Sequence, residues 1–365
     1  MPTVFNNPNG KPNTNRLVEL MHPKRQAMVI SSIKDENSTM KTYTLKASDD
    51  HELAYFTAGD YIPVFVEIDG NVIERPYAIA SSPEQSVEGV YEISVKAMAN
   101  GYVSQYIHEN WKVGMEVQLG APCPGENYQP LRDRQHVIAL AGGVGVTPFR
   151  SIARAIIDGD VDCSLTLIYG ANTYEEIVYK DEWKELEAAS EGKFKVAFVI
   201  ANEEADGCER GFISLDIINK YADIQESSLF ISGPDGMVKH IQSMIEPLHL
   251  EKKYVRYGMG GDSGFNHSIR EDAAVTITVH RAGETETVAA NKNETVLAAL
   301  ERAGIRTAVH CRTGICGFCR SFVVKGEYSY AADVTGVRAR DKELGFIHPC
   351  CAYPETDMEI VVQRD

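Results

Sequence analysis

Five of the eight cysteines in this 365-residue chain crowd into 41 residues near its end, and their spacing restricts the chemistry to few possibilities. Cys311, Cys316 and Cys319 are separated by four and then two residues, and Cys350 and Cys351 follow about thirty residues later. Such a run suits a [2Fe–2S] cluster, because two irons need two thiolates each and a short loop must wrap one side of the cluster. Gly314 and Gly317 let the backbone approach closely and aim amide N–H groups at the sulfurs. Either Cys350 or Cys351 supplies the fourth sulfur. A structural zinc site would favour paired C-x-x-C knuckles, and only one is present. His310 and His348 flank the cysteines, but four thiolates already complete the set.

Clustered thiols fit a reducing compartment, where cysteines ligate metals more often than they pair. The 36 Lys and Arg against 52 Asp and Glu give a formal charge of −16. That excess opposes nucleic-acid binding and docking on anionic membranes. Only −1 of it falls on residues 273–365, so an acceptor guided by strong charge steering is not implied. Residues 1–16 lack the apolar core of a signal peptide, and the longest charge-free apolar stretch, 135–149, is too short to span a bilayer. A cytoplasmic protein with no membrane or nucleic-acid partner is the expectation.

The hydrophobic pattern divides the chain. Residues 27–31, 41–47, 61–68 and 91–96 read as short strands joined by turns, which suggests a small antiparallel barrel over 26–130. Between 131 and 255, apolar runs at 136–141, 164–170, 194–200 and 228–233 alternate with helical stretches at 149–157, 174–190 and 237–248. Alternation of this kind argues for a parallel sheet covered on both faces. Residues 256–272 hold four glycines and little apolar content and read as a linker. From 273 to 365 a hairpin, a helix at 295–303, the cysteines and a last strand at 358–363 follow. Residues 1–25 form an N-terminal arm. Trp111, Trp183 and Cys123 read as packing residues.

One further turn carries chemistry. AGGVGVTPF (141–149) follows a strand and opens a helix, so its glycines let the backbone reach a pyrophosphate and Pro148 suits the first helical turn. It is not the strict G-x-G-x-x-G fingerprint.

Taken in order, RPYAIASS (75–82), NGYVSQYI (100–107), this glycine turn, SGPDGM (232–237), the cysteine run and the tail HPCCAYP resemble the ferredoxin–NADP reductase superfamily. The likeness is to the oxygenase-reductase type with a C-terminal plant-type ferredoxin domain, as in phenylacetyl-CoA oxygenase and phthalate dioxygenase reductases, and it covers nearly the whole chain. It implies a multidomain fold: an antiparallel β-barrel flavin domain, an α/β Rossmann-like nucleotide domain and an α+β β-grasp ferredoxin domain. By this resemblance Arg75 pairs with a flavin phosphate, which suits its planar donor fork. Pro76, Tyr77 and Ala78 line the flavin, with Tyr77 against the ring. Gly101, Val103 and Ser104 meet the flavin pyrophosphate, favouring FAD over FMN. Gly142, Gly143, Gly145, Thr147 and Pro148 hold the nicotinamide nucleotide, and Ser232, Gly233 and Pro234 sit by the reacting rings. Tyr77 and Ser232 are the candidate catalytic residues. Cys350 becomes the fourth ligand and Cys351 a small buried neighbour.

Three positions depart from the family pattern: Ala78 stands where Ser or Thr usually bonds flavin, Ser232 where the family has Cys, and Gly258 where it has an acidic residue. Residues 201–206 bring three carboxylates to the place where NADPH enzymes hold the 2′-phosphate, so repulsion favours NADH, with Arg210 nearby. The expected function is an NADH-dependent reductase carrying electrons through FAD and a [2Fe–2S] cluster to a partner redox protein such as an oxygenase component. The rival is a non-catalytic electron-relay or binding subunit that keeps flavin and cluster without oxidising NADH.

Overall fold

Burial alternates along the first strands in the two-residue period of a pleated sheet with one face on a core. The computed structural model describes residues 18, 20–49, 51–99, 101–258, 273–330, 334 and 336–363. Its first sheet has six strands: β1 (Gln26–Asn37), β2 (Met40–Ala47), β3 (Tyr61–Ile68), β4 (Asn71–Ala78), β5 (Val90–Lys96) and β6 (Glu116–Leu119), in the order β4-β3-β6-β1-β2-β5. β1 pairs antiparallel with both β2 and β6, and β2 with β5. Asp69 and Gly70, between β3 and β4, both adopt positive φ (52° and 78°), the geometry of a tight hairpin turn. Helices α1 (Pro83–Val87) and α2 (Tyr102–Asn110) complete this part.

The second sheet holds β7 (His136–Gly142), β8 (Ser164–Ala171), β9 (Phe194–Ile200), β10 (Glu209–Arg210), β11 (Ser228–Ser232) and β12 (Val255–Tyr257), in the order β10-β9-β8-β7-β11-β12, with every pair parallel. Both faces are covered, as a parallel sheet requires. Along β7, Val137, Ala139 and Ala141 face a core with Phe149 and Ile152 of α3 (Thr147–Asp158) and Trp183 of α4 (Lys180–Ala189). Ile138 and Leu140 face the other core, with Ile217 and Ile218 of α5 (Leu215–Tyr221) and Ile241 and Ile245 of α6 (Asp235–Ile245).

Two expectations change. The helical stretch at 174–190 begins only at Lys180, because Tyr179 takes a left-handed φ of 58°. Its ring is buried under the Arg150 guanidinium at 4.5 Å and its hydroxyl meets Ser94, contacts that override helical periodicity. Arg256 and Tyr257, assigned to the linker, instead extend the sheet in β12. The rest of that linker, 259–272, lies outside the described residues, as does the N-terminal arm up to residue 17.

The barrel and the nucleotide domain join through buried charge. Arg150 of α3, 4% exposed, donates to Glu92 of β5 (2.8 Å), to Glu182 of α4 (2.9 Å) and to Ala80 O (3.2 Å). Arg154 pairs with the same two glutamates, and Ser151 donates to Ser81 O at 2.7 Å. Burial works to raise the Glu92 pKa, yet Arg150 and Arg154 outweigh it and hold the carboxyl below its usual range.

The C-terminal part has a five-stranded sheet of β13 (Ala274–Arg281), β14 (Glu284–Asn291), β15 (Ser321–Lys325), β17 (Phe346–Ile347) and β19 (Met358–Val361), in the order β14-β13-β19-β15-β17, with β13 and β19 parallel. β16 (Tyr328–Tyr330) pairs with β18 (Ala352–Pro354). Helix α7 (Val296–Arg302) packs Val296, Ala299 and Leu300 onto Ile277, Val288 and Ile360, the grasp of a mixed sheet around one helix. Thr295 caps it, accepting from Ala298 N at 3.2 Å. Helix α8 is Ala339–Glu343. By compactness the chain forms two units: Tyr77–Gly258 with the chain up to Val64, and Phe65–Pro76 with the C-terminal domain.

Candidate functional site

In an open parallel sheet, ligands bind where strand order reverses, at the carboxyl ends of the strands. Here that point lies between β7 and β11. The chain leaves β7 through a 3₁₀ turn (Gly143–Val146) into α3. Gly143 has φ 54°, and a Cβ on Gly145 would fall 2.4 Å from Ser232 O. Only glycine lets the two turns touch. Likewise a Cβ on Gly142 would meet Met237 Sδ at 2.6 Å and Pro234 Cδ at 3.2 Å. Thr147 donates its hydroxyl to Val144 O at 2.7 Å, and α3 has no side-chain cap. The Thr147 N–H is taken by that same carbonyl and Pro148 has none, so the backbone that a dinucleotide pyrophosphate would meet is that of the close-packed glycine turn.

On the barrel, Tyr77 and Ala78 end β4, half-buried, and Ile79 N donates to Asp60 O at 2.9 Å. Gly101 is the N-cap of α2, which also lacks a side-chain cap, and a Cβ there would strike Ser104 Oγ at 2.4 Å. Ser104 Oγ accepts from Met98 N at 3.2 Å. The Val103 side chain is buried, so only its backbone is available to a ligand. Arg75 lies in the other unit, where Nη1 pairs with Glu301 (3.3 Å) and donates to Glu74 O (3.0 Å). Arg312 shares both partners.

The cysteine loop is built from its own backbone. Cys311 Sγ accepts from Thr313 N (3.5 Å) and Cys316 N (3.4 Å), and Cys316 Sγ from Phe318 N (3.4 Å). Gly314 and Gly317 provide the positive φ values, 79° and 68°, that turn those amides inward. Cys311 lies beside Cys316, and Cys319 beside Cys350, which also neighbours Cys351. Among the described residues no three His, Cys, Asp or Glu side chains group as a single-ion site would. Cys351 is fully buried, and its sulfur would lie 2.7 Å from a Cβ on Gly314. His348, also fully buried, pins the loop: Nδ1 is 2.6 Å from Gly314 O and Nε2 is 2.9 Å from Asp341. Beside the cysteines in sequence, His348 thus supports the loop rather than ligating.

Three family descriptions match along the chain. Residues 27–128 match the oxidoreductase FAD-binding domain, 139–243 the oxidoreductase NAD-binding domain and 279–355 the 2Fe-2S iron-sulfur cluster binding domain. This chain is an oxidoreductase that carries these three domains in that order. Among its relatives, the glycine betaine monooxygenase reductase subunit of Pseudomonas aeruginosa is 27% identical, over 89% of this chain and 92% of the relative. A component of the 1,2-phenylacetyl-CoA epoxidase of Escherichia coli is 23% identical, over 93% and 97%. The solved structure of phthalate dioxygenase reductase, described as modular for electron transfer from pyridine nucleotides to [2Fe-2S], matches the fold with a TM-score of 0.70. It is 21% identical and covers 93% of this chain and 98% of its own. No helix among the described residues is long and apolar enough to cross a membrane.

In this oxidoreductase the sequence left one residue of the nucleotide crevice unnoticed. Glu126, in the loop after β6, is 8% exposed, and its Oε1 has no hydrogen-bond partner among the described residues. It lies beside Ser232, and a Cβ on Gly258 would fall 2.0 Å from Glu126 Oε1 and 2.6 Å from Ser232 Oγ. The only sequence signal was a carboxylate directly after the glycine of a tight turn, which reads as an ordinary surface acid.

Proposed function

We propose that this oxidoreductase oxidises NADH, works in the cytoplasm and serves a separate protein acceptor, an oxygenase component. FAD, when bound, would supply hydride acceptance, and a [2Fe–2S] cluster held by the cysteine loop would supply single-electron transfer. The observation that carries this reading is the pairing of an open nucleotide crevice at the strand-order reversal with a four-sulfur loop in one chain.

The chain's own groups divide the work. Gly142, Gly143 and Gly145 bring the backbone close to a pyrophosphate, and Thr147 and Pro148 start the helix that faces it. Ser232, Gly233 and Pro234 border the crevice where the nicotinamide ends. Tyr77, Ala78, Gly101, Val103 and Ser104 would hold the flavin, with Tyr77 against its ring and the α2 N-terminus toward its phosphates. Cys311, Cys316, Cys319 and Cys350 ligate the irons, and the loop amides favour the reduced charge. Ile315 and Phe318 stand exposed on the cysteine loop, as contact residues for a protein acceptor would. Arg210, the one cation noted near the 2′-phosphate position, is paired with Glu204, which supports NADH over NADPH.

The test is optical. NADH added to anaerobic, cofactor-loaded protein bleaches the flavin and cluster bands, and ferricyanide and cytochrome c are reduced. Loaded protein that never bleaches would instead identify a relay subunit.

A further inference from the structure

Gly258 leaves a space at the crevice, and two side chains fill it. Ser232, half-exposed, ends β11 beside the glycine turn, and Glu126 lies buried behind it. A Cβ at 258 would strike both. Glu126 is also held rigidly. Its N–H donates to Gly59 O at 2.9 Å, a Cβ on Gly125 would fall 2.3 Å from that same oxygen, and Gly125 N donates to Asp60 Oδ1 at 3.3 Å. Asp60 O in turn accepts from Ile79 N, next to the flavin-strand residue Ala78.

We propose that Glu126 is a positioning residue of the hydride site, acting through the Ser232 hydroxyl. The proposal rests on the reading of the chain as an NADH-oxidising reductase and deepens it. A protonated acid at 126 donates to Ser232 Oγ and leaves the serine's own O–H to point into the crevice, as a donor for the carboxamide oxygen of a nicotinamide. An ionised carboxylate can only accept, so it draws the serine proton toward itself and turns that donor away. Burial raises the Glu126 pKa to about 8, against the opposing pull of the Ser232 hydroxyl and the Arg256 guanidinium. The acid form therefore prevails at neutral pH. Of the charged groups around it, Arg256 on β12 is paired with Asp133, and Asp60 behind the loop bonds Gly125 and Asn127 with its own pKa raised by burial.

The full chain loaded with flavin tests this through NAD⁺ affinity, read from the perturbed flavin spectrum below and above pH 8. Wild type should bind about tenfold more weakly above that pH, the loss of one hydrogen bond, whereas Glu126→Gln, which stays neutral, should not show the fall. Ser232→Ala should bind weakly at both pH values, and adding Glu126→Gln to it should change affinity less than twofold. Gly258→Ala, which displaces the carboxyl, should weaken binding by about tenfold and remove the pH step. A pH step in Glu126→Gln equal to that of wild type, or losses that add in the double variant, would overturn the proposal. Loaded wild type that neither binds NAD⁺ nor bleaches with NADH would overturn the functional reading itself.

Discussion

The cysteine loop and the crevice at the end of β11 both prepare this oxidoreductase to handle electrons, yet they are constructed in opposite ways. The loop draws three of its sulfurs and nearly all its sulfur-directed amides from residues 311–319, with Cys350 and His348 added from one nearby segment. The crevice brings Glu126, Ser232 and Gly258 together from three segments, the first two more than a hundred residues apart. A local site is specified by spacing and tolerates change around it. An assembled site depends on every element that holds it, down to the backbone contacts of Gly59 and Gly145.

The sharpest way to break this contrast is to remove single sulfurs. Cys350→Ser should abolish the cluster's visible absorption and cytochrome c reduction while ferricyanide reduction survives, and Cys351→Ser should keep all three. Loss of the cluster in Cys351→Ser alone would show the ligand assignment to be reversed.

The next effect concerns the assembled region. Arg150→Ala leaves Glu92 and Glu182 short of a buried partner and should destabilise the barrel–nucleotide unit by about 3–5 kcal/mol, seen as a lower melting temperature. Because the folded-state pKa of Glu92 is depressed, its contribution is present above the unfolded carboxyl pKa and is lost as pH falls through the folded value. The penalty of Arg150→Ala should therefore shrink in acid; a penalty constant with pH would show that packing, not charge, joins the domains.

Glu126 has the opposite sign. Its folded pKa is raised, so wild-type stability declines as pH rises from the unfolded carboxyl range toward 8. Glu126→Gln should gain stability relative to wild type between pH 5 and pH 8, measured by denaturant midpoints. Thr295→Ala, which removes the α7 cap, should cost about 1 kcal/mol and leave NADH-driven bleaching untouched, as befits a local device.

What the sequence disclosed follows the same division. Cysteine spacing, the glycine turn and alternating apolar runs announced the three domains, because each is a contiguous signal read by one stretch of backbone. Tyr179 broke an expected helix because its partners, Arg150 and Ser94, lie far away in sequence. Glu126 escaped notice for the same reason: nothing in its neighbours says that it will be buried against Ser232. Gly258 was visible only as a missing carboxylate, and the fold shows what stands in the space it leaves.

The Arg150 network also bears on how such proteins can be recombined. The helix that opens the nucleotide turn is bolted within its first two turns to Ala80 and Glu92 of the barrel. A chimera that grafted a foreign nucleotide domain onto this barrel would inherit mismatched charges unless Arg150, Arg154 and Glu182 travelled as a set with a matching Glu92. Breeding new pyridine-nucleotide preference into this scaffold should thus proceed by loop exchange at 201–206, leaving that joint intact.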